Sequence, residues 1–151
     1  MTMSHTPSHN NNPASFARAC SDAMHANDQA AHMMGIEIVD TTPGKAVLQM
    51  QVRQDMLNGH AVCHGGMLFT LADTAFAHAC NNTNKVTLAS GCTIDFLAPA
   101  LLDEVLTATA VERSRSGRTG VYDVEIHNPA GKLVATFRGR SYQIKGTVLA
   151  D

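Results

Sequence analysis

The segment that most constrains the fold is residues 66–80, which read GMLFTLADTAFAHAC. This composition favours a helix, and apolar side chains occupy nearly all of its sides. A helix of this kind must be buried all round, and a lone central helix can be buried only by a sheet that wraps around it. The sequence therefore predicts an α+β fold with one long central helix.

The chain on both sides of this helix has the pattern of β-strands. Before it, an extended segment at residues 36–40 and an alternating one at residues 46–52 flank a Pro-Gly turn, which predicts a hairpin. After it, strands are predicted at residues 86–97, 104–115, 119–127 and 133–144. The links at 116–118 and 128–131 are short, which favours antiparallel pairing. We expect a curved antiparallel sheet of five to six strands, completed after the helix by a meander.

The N-terminal residues differ in composition from the rest of the chain. Residues 1–13 read MTMSHTPSHNNNP and lack the apolar stretch of a secretory signal. We expect a disordered tail at residues 1–13 and one domain at residues 14–151. Pro13 can begin a helix. The apolar residues at helical spacing in that helix are Phe16, Cys20 and Met24.

Cysteine usage and hydropathy indicate the compartment. Four cysteines are far apart and contain no C-x-x-C pair, so they are interpreted as free thiols: Cys20, Cys63, Cys80 and Cys92. No run approaches the roughly 18 apolar residues that a membrane span needs. These features predict a cytoplasmic protein with no membrane partner.

The formal net charge of -2 gives no reason to expect nucleic acid as a partner. The distribution is uneven, because the chain from Arg113 onward has seven basic and three acidic residues. This C-terminal third either faces a polyanion or forms a solvated basic edge that discourages strand pairing.

Asp73 is the most informative residue of the central helix. Its neighbours on the same face are apolar, namely Phe69, Phe76 and Ala77. Burial among such side chains raises the pKa of a carboxyl group and strips water from its oxygens, as a general base or a carboxylate nucleophile requires. The alternative is a structural aspartate that accepts hydrogen bonds from backbone or from a partner helix.

His64, Gly65 and Gly66 stand at the start of the same helix, where unpaired backbone N–H groups and the positive end of the helix dipole collect. Glycine lets a ligand approach this backbone closely. Such a terminus can hold a carbonyl oxygen that becomes negative during nucleophilic attack. The alternative is a flexible start of the helix.

The spacing of these two features predicts an oligomer. Gly65 and Asp73 are eight residues apart, which is about 12 Å along one helix at 1.5 Å per residue. They cannot both contact one carbonyl carbon. Two such helices packed antiparallel across a twofold axis would bring Gly65 of one chain beside Asp73 of the other. We therefore expect a homodimer with two composite sites and an inactive monomer.

Three stretches carry a family resemblance: MLNGHAVCHGGMLFTLADTAFAHACN, VTLASGCTIDFLAP and RSGRTGVYDVEI. They resemble the hotdog-fold acyl-CoA thioesterases of bacterial phenylacetic acid degradation, over nearly the whole chain after the tail. The resemblance implies hydrolysis of phenylacetyl-CoA or hydroxyphenylacetyl-CoA thioesters to the free acid and CoA. It implies no cofactor, because coenzyme A is part of the substrate. It also implies a dimer of dimers, that is, a homotetramer.

The resemblance also assigns catalytic roles. It gives the oxyanion amide to Gly65 and the catalytic carboxylate to Asp73. It maps a catalytic loop asparagine onto Asn58, which would place the attacking water or the substrate carbonyl, although a turn-forming role before Gly59 remains open. It likens His64 to a histidine whose polar contacts order the site, and a merely structural loop histidine is the alternative.

The resemblance further places coenzyme A along the subunit interface. Gly66 and a hydroxyl on the strand after the helix would contact it; Ser90 lies near that position, but Ala89 aligns equally well. The local candidates for the phosphates are the residues around a Ser-Gly turn: Arg113, Arg115, Ser116, Gly117 and Arg118.

Other functions have weaker support in the sequence. A zinc site would need His60, Cys63, His64 and His78, which lack the usual paired spacing. A Cys63–His64 nucleophile lacks a third partner. An enoyl-CoA hydratase of the same fold would need a paired Asp and His before the helix. A non-catalytic acyl-CoA sensor would keep the pocket without the carboxylate.

Overall fold

The computed structural model describes residues 12–150, so that of the expected tail only Asn12 and Pro13 lie within the described residues. The helices are α1 (Pro13–Asn27), α2 (Gln29–Met33) and α3 (Gly65–Asn81). The strands are β1 (Glu37–Thr42), β2 (Lys45–Gln51), β3 (Thr87–Phe96), β4 (Val105–Ser116), β5 (Thr119–His127) and β6 (Leu133–Gln143). A 3-10 turn at Gln54–Met56 follows β2. The described part contains no helix long and apolar enough to cross a membrane.

All six strands form one antiparallel sheet in the order β1-β2-β4-β5-β6-β3. The predicted hairpins β1–β2, β4–β5 and β5–β6 are present. The prediction of a simple meander after the helix is wrong at one point, because β3 pairs with β6 and not with β4. Residues 97–104 between β3 and β4 are longer than a hairpin turn and contain Pro99, so they can cross to the far side of the sheet.

The central helix α3 lies against the concave face of this sheet, as its all-round apolar pattern predicts. It contacts β2, β3, β4, β5 and β6. Phe76, near its middle, is 1% exposed and packs against the rings of Tyr122 and Phe137, with centroid distances of 5.5 and 5.8 Å. A buried side chain of this size contributes about 1.5–3 kcal/mol through the hydrophobic effect. The helix is therefore held rigidly at its centre.

Two asparagines hold the C-terminal end of α3. The Nδ2 of Asn81 donates to the carbonyl of Thr87 at 2.9 Å, and its Oδ1 accepts from the amide of Thr87 at 2.8 Å. The Nδ2 of Asn82 donates to the carbonyls of Thr42 and Lys45 at 2.8 and 3.0 Å. These bonds join the helix to β3 on one side and to the β1–β2 turn on the other.

The two edges of the sheet differ in whether another element packs against them. Helix α1 packs against β1. Strand β3, at the opposite edge, pairs on one side only within residues 12–150 and exposes large apolar side chains, with Leu88 at 52% and Phe96 at 54%. An uncovered apolar edge strand is a surface on which another strand can pair.

Candidate active site

The first turn of α3 leaves one backbone amide available. The Nδ1 of His64 accepts a hydrogen bond from the amide of Gly66 at 2.9 Å, so His64 caps the helix through its side chain. The amides of Met67 and Leu68 donate to the carbonyl of His64 at 2.9 and 3.3 Å. The amide of Gly65 donates to no group among the described residues. It lies at the positive end of the helix dipole, where it can donate to a substrate oxygen.

The surroundings of Gly65 leave little room for a side chain. A Cβ atom added to Gly65 would lie 3.0 Å from Cζ of Phe96, whose ring lies over the start of the helix. Gly65, Phe96 and Asn58 line a cavity of about 430 Å³, together with residues 97–100. The cavity is large enough for part of a small-molecule ligand.

Asn58 lies in this cavity but is also part of its own loop. Its Oδ1 accepts from the amides of His60 and Val62 at 2.9 and 3.4 Å, and its backbone amide donates to the carbonyl of Val62 at 2.8 Å. These bonds are those of a turn-forming asparagine. Its Nδ2 donates to no group among the described residues and is available to a ligand in the cavity.

Asp73 lies in a second, larger cavity. Its carboxylate is half-buried and accepts no hydrogen bond from any residue between 12 and 150. Burial raises its pKa above the ordinary value, and the nearby carboxylate of Asp28 adds to the effect. The cavity of about 490 Å³ is also lined by Phe76, Cys80 and Leu88. Within residues 12–150 the carboxylate is therefore not bonded to backbone, which is one form of the structural alternative. The other form, a hydrogen bond to a partner helix, stays open.

The structure therefore does not bring Gly65 and Asp73 together within one chain. The first lines the cavity of about 430 Å³ and the second the cavity of about 490 Å³, with no residue common to both linings. Both lie on the side of the molecule where β3 forms the free edge, since Phe96 at one end of β3 contacts Gly65 and Leu88 near the other end faces Asp73.

Of the residues expected to contact coenzyme A, Gly66 lies in the first turn of α3, and the others lie around the β4–β5 hairpin and on β3. Ser90 is exposed at a bulge of β3, and its hydroxyl donates to the carbonyl of Arg140 at 3.1 Å. It shares a depression of about 260 Å³ with Ser116 and Arg140. Ala89, and not Ser90, lines the cavity of Asp73.

The three expected arginines differ in whether they already contact a carboxylate. Arg113 donates to Asp123 at 3.0 Å, and Arg115 lies 3.5 Å from Glu112. Arg118, next to the left-handed Gly117, contacts no carboxylate within the described part of the chain, and the same holds for Arg140. Sequence reasoning missed Arg140, because its proximity to Ser90 depends on the pairing of β6 with β3.

A group of histidines near α3 was also missed. His78 is 1% exposed, and its ring centroid lies 6.3 Å from that of His25, which stacks on His32 at 4.5 Å. Burial lowers the pKa of His78 to about 4, and the neighbouring His25 adds to this shift. The signal in the sequence was the spacing of seven between His25 and His32, on helices that pack beside α3.

The structure supports neither the zinc site nor the cysteine nucleophile considered as alternatives. His78 lies in the last turns of α3, about 20 Å along the helix from His64, so the four proposed zinc ligands are not neighbours. No group of three metal-ligating side chains occurs in residues 12–150. Burial raises the pKa of Cys63 to about 11, which keeps its thiol protonated and weakly nucleophilic.

Comparison with known proteins identifies the family of the chain. The chain matches the model of the Thioesterase superfamily over residues 60–135. It is 52% identical to the acyl-coenzyme A thioesterase PaaI of Escherichia coli over 129 residues, which cover 85% of this chain and 92% of that protein.

Solved structures show the same fold. The structure of the E. coli PaaI protein from the phenylacetic acid degradation operon is 50% identical, with a TM-score of 0.89 over 90% of this chain and 99% of that chain. A hypothetical thioesterase from Streptococcus pneumoniae with coenzyme A is 27% identical, with a TM-score of 0.71 over 74% of this chain and 87% of that chain. The chain therefore belongs to the thioesterase superfamily and has the hotdog fold expected from its sequence.

Proposed function

We propose that this protein hydrolyses acyl-CoA thioesters to the free acid and coenzyme A, with phenylacetyl-CoA or its hydroxylated forms as substrates. The observation that carries the proposal is a pair of groups on α3 that form no hydrogen bond with residues 12–150, the amide of Gly65 and the carboxylate of Asp73. The names of the E. coli relative and of its operon support the reaction and the substrate class.

A composite site requires two chains. In the proposed homodimer the free edges of two β3 strands lie side by side, and each α3 places its Gly65 next to the other chain's Asp73. The exposed Leu88 and Phe96 would be covered in this arrangement, which supports it. Pairing of two such dimers would give the expected tetramer.

In the proposed mechanism the thioester carbonyl accepts a hydrogen bond from the amide of Gly65, which stabilises the oxyanion that forms during attack. Asp73 of the partner subunit acts in one of two ways. As a general base it takes a proton from water, whose oxygen attacks the carbonyl carbon; as a nucleophile it attacks directly and forms an anhydride that water then hydrolyses. In both, the C–S bond breaks and the coenzyme A thiolate leaves and is protonated.

Asn58 and His64 would support this chemistry. The free Nδ2 of Asn58 lies in the cavity of Gly65, where it can donate to the attacking water or to the carbonyl. His64 orients the first turn of α3 through its bond to Gly66. Asn58 would thus contact the reacting groups directly, whereas His64 would be a positioning residue.

Oxygen-18 labelling separates the two branches. In a single turnover in labelled water, direct attack followed by hydrolysis at the carboxylate carbon of the anhydride leaves one labelled oxygen in Asp73, which mass spectrometry of the peptide detects. A general base leaves Asp73 unlabelled and puts the label in the acid product. An unlabelled Asp73 would rule out direct attack followed by hydrolysis at the carboxylate carbon.

Coenzyme A phosphates would bind near the β4–β5 hairpin. Arg118 is the best placed of the three expected arginines, because Arg113 and Arg115 already contact carboxylates. Charge reversal of all three should raise the KM for phenylacetyl-CoA with little change in kcat. Lys132→Glu, in the exposed β5–β6 turn, is the matched control. An unchanged KM would contradict this assignment.

The proposed location is the cytoplasm, where acyl-CoA is available. The four cysteines are free thiols in the structure, as a reducing compartment allows. No nucleic acid or membrane partner is proposed.

The first test is release of thiol from phenylacetyl-CoA, with an aliphatic acyl-CoA for comparison and the oligomeric mass measured under assay conditions. Turnover by a dimer or larger assembly is expected. An active monomer would contradict the composite site, and absence of turnover on any thioester would favour a non-catalytic acyl-CoA sensor.

Subunit complementation tests the composite site directly. Asp73→Asn and Gly65→Ala variants, refolded together in equal amounts, should form mixed dimers that each contain one intact site. About a quarter of the wild-type activity should return, since half of the dimers are mixed and each has one of two sites intact. Activity no higher than the sum of the separate variants would contradict it.

A further inference from the structure

The cavity beside Asp73 has a fixed wall and an adjustable wall. The fixed wall is made by α3 and β3 and includes Phe76, Cys80 and Asn81. Phe76 is locked by the rings of the core, and Asn81 by its two hydrogen bonds to Thr87. These side chains cannot move without disturbing the packing of the central helix.

The adjustable wall comes from the two ends of the described chain. Met24, half-buried in the last turns of α1, closes one side, and Thr147 and Val148, after β6, close another. The C-terminal segment is tied to the rest of the protein by hydrogen bonds from the amide of Val86 to the carbonyl of Gly146 at 3.3 Å and from the amide of Leu149 to Oδ1 of Asn84 at 2.8 Å. Within the segment, the hydroxyl of Thr147 donates to the carbonyl of Leu149 at 2.8 Å. Met24 is unbranched and can change rotamer to fit irregular shapes.

The lining of the cavity indicates what it accepts. Apart from Asp73, Asn81 and two threonines, the lining side chains are apolar: Met24, Phe76, Ala77, Cys80, Val86, Leu88, Ala89 and Val148. An apolar chamber of about 490 Å³ next to one carboxylate fits the acyl part of a thioester, and not its charged nucleotide. A methionine in such a wall can also place its sulfur against the edge of an aromatic ring.

We infer that this cavity is the acyl pocket and that Met24 is a specificity-determining residue, which sets the size of the acyl group that reaches Asp73. The inference rests on the proposed thioesterase function and adds a residue from outside the helix and strand that carry the catalytic groups. It also gives α1 a role in substrate selection, since the position of Met24 depends on how α1 packs against β1 and α3.

The test changes the size of this side chain and compares substrates. The readout is the ratio of kcat/KM for phenylacetyl-CoA to kcat/KM for acetyl-CoA, because a merely structural effect would change both values alike. Met24→Phe narrows the pocket and should lower the ratio about 10-fold. Met24→Ala widens it and should raise kcat/KM for the larger naphthylacetyl-CoA about 10-fold relative to phenylacetyl-CoA.

Met33 offers a matched control. It is a methionine of the neighbouring helix α2, but its side chain is 67% exposed and lines none of the cavities described above. Met33→Phe and Met33→Ala should leave both ratios unchanged. Thermal unfolding of each variant shows whether it has folded, and Met24→Ala tests the inference if Met24→Phe does not fold.

The outcomes separate this inference from the proposed function. If wild type and the Met33 variants hydrolyse neither substrate, the proposed function fails, and the acyl pocket with it. The second outcome is that they hydrolyse phenylacetyl-CoA and acetyl-CoA, and that the folded Met24 variants keep both kcat/KM ratios within twofold of wild type. In that case Met24 does not determine specificity, and the proposed thioesterase function is unaffected.

Discussion

The two halves of α3 supply different kinds of chemistry. Its first turn follows a loop, is partly exposed at Gly65 and Gly66, and offers the backbone amide of Gly65. Its second half is enclosed by β3 and α1 and offers the side chain of Asp73 in an apolar cavity. The amide owes its positive potential to its place at the start of the helix, where the helix dipole has its positive end. The carboxylate gains its raised pKa only from burial. One helix can therefore carry both halves of the proposed site, which two copies of the chain would complete.

The largest expected effect comes from removing the carboxylate. Asp73→Asn should lower kcat for phenylacetyl-CoA about 1000-fold with little change in KM, because a group used only in the transition state is lost. For wild type, kcat/KM should fall on acidification at a higher pH than an ordinary aspartate would give, since the carboxylate must be ionised and its pKa is raised.

Asp103→Asn is the control for this variant, because Asp103 lies in an exposed turn with φ of 69°, which asparagine also adopts readily. Asp73→Asn that retains more than a tenth of the wild-type kcat would show that the buried half of α3 does not carry the carboxylate chemistry.

The next effect concerns the start of α3. Gly65→Ala keeps the amide but adds a methyl group in the place that the thioester oxygen would approach, 3.0 Å from the ring of Phe96. We expect a loss of about 100-fold in kcat/KM. Folding should persist, because Phe96 is 54% exposed and its ring can shift.

Gly59→Ala is the matched control in the same region, since a Cβ atom at Gly59 meets nothing within 4 Å. Equal activities of the two alanine variants would mean that the start of α3 is only a helix terminus.

A stability effect is expected from His78 in the buried half. The unfolded chain binds a proton at His78 below pH 6.5, whereas in the folded protein burial holds the pKa at about 4. Acid therefore favours the unfolded state, and the wild-type free energy of unfolding should decrease by roughly 3 kcal/mol more between pH 6.5 and 4 than it would without this residue.

Denaturant unfolding at several pH values measures this effect. His78→Gln should flatten the pH dependence in that window, while His60→Gln, at an exposed loop position, should leave it as in wild type. A slope that is the same in all three proteins would rule out His78 as its source.

The smallest effect is expected at the cap of α3. His64→Ala removes the acceptor for the amide of Gly66 and should lower the free energy of unfolding by about 1 kcal/mol, with a fewfold lower kcat. His64→Asn restores a capping side chain and should recover most of the stability. If His64→Asn recovers stability but not kcat, the ring of His64 does more than cap the helix.

The sequence was sufficient for the secondary structure of most of the chain, because periodicity and turn residues act locally. Strand β5 has the predicted bounds, and α3 extends the predicted helix by one residue at each end. The place of β3 beside β6 was not predicted, since the chain between β3 and β4 carries no local signal for which edge it reaches. Arg140 was missed for the same reason, because pairing across the sheet decides its neighbours.

By itself the sequence determined that a buried helix carries an apolar-flanked carboxylate and begins at an H-G-G terminus, and that the two lie too far apart to act on one carbonyl. Periodicity and rise per residue are sufficient for these conclusions. Three features depend on the tertiary structure: the carboxylate of Asp73 and the amide of Gly65 form no hydrogen bond with residues 12–150, and Met24 closes one side of the cavity beside Asp73. Burial and hydrogen-bond pairing depend on residues distant in sequence, and folding alone brings those together.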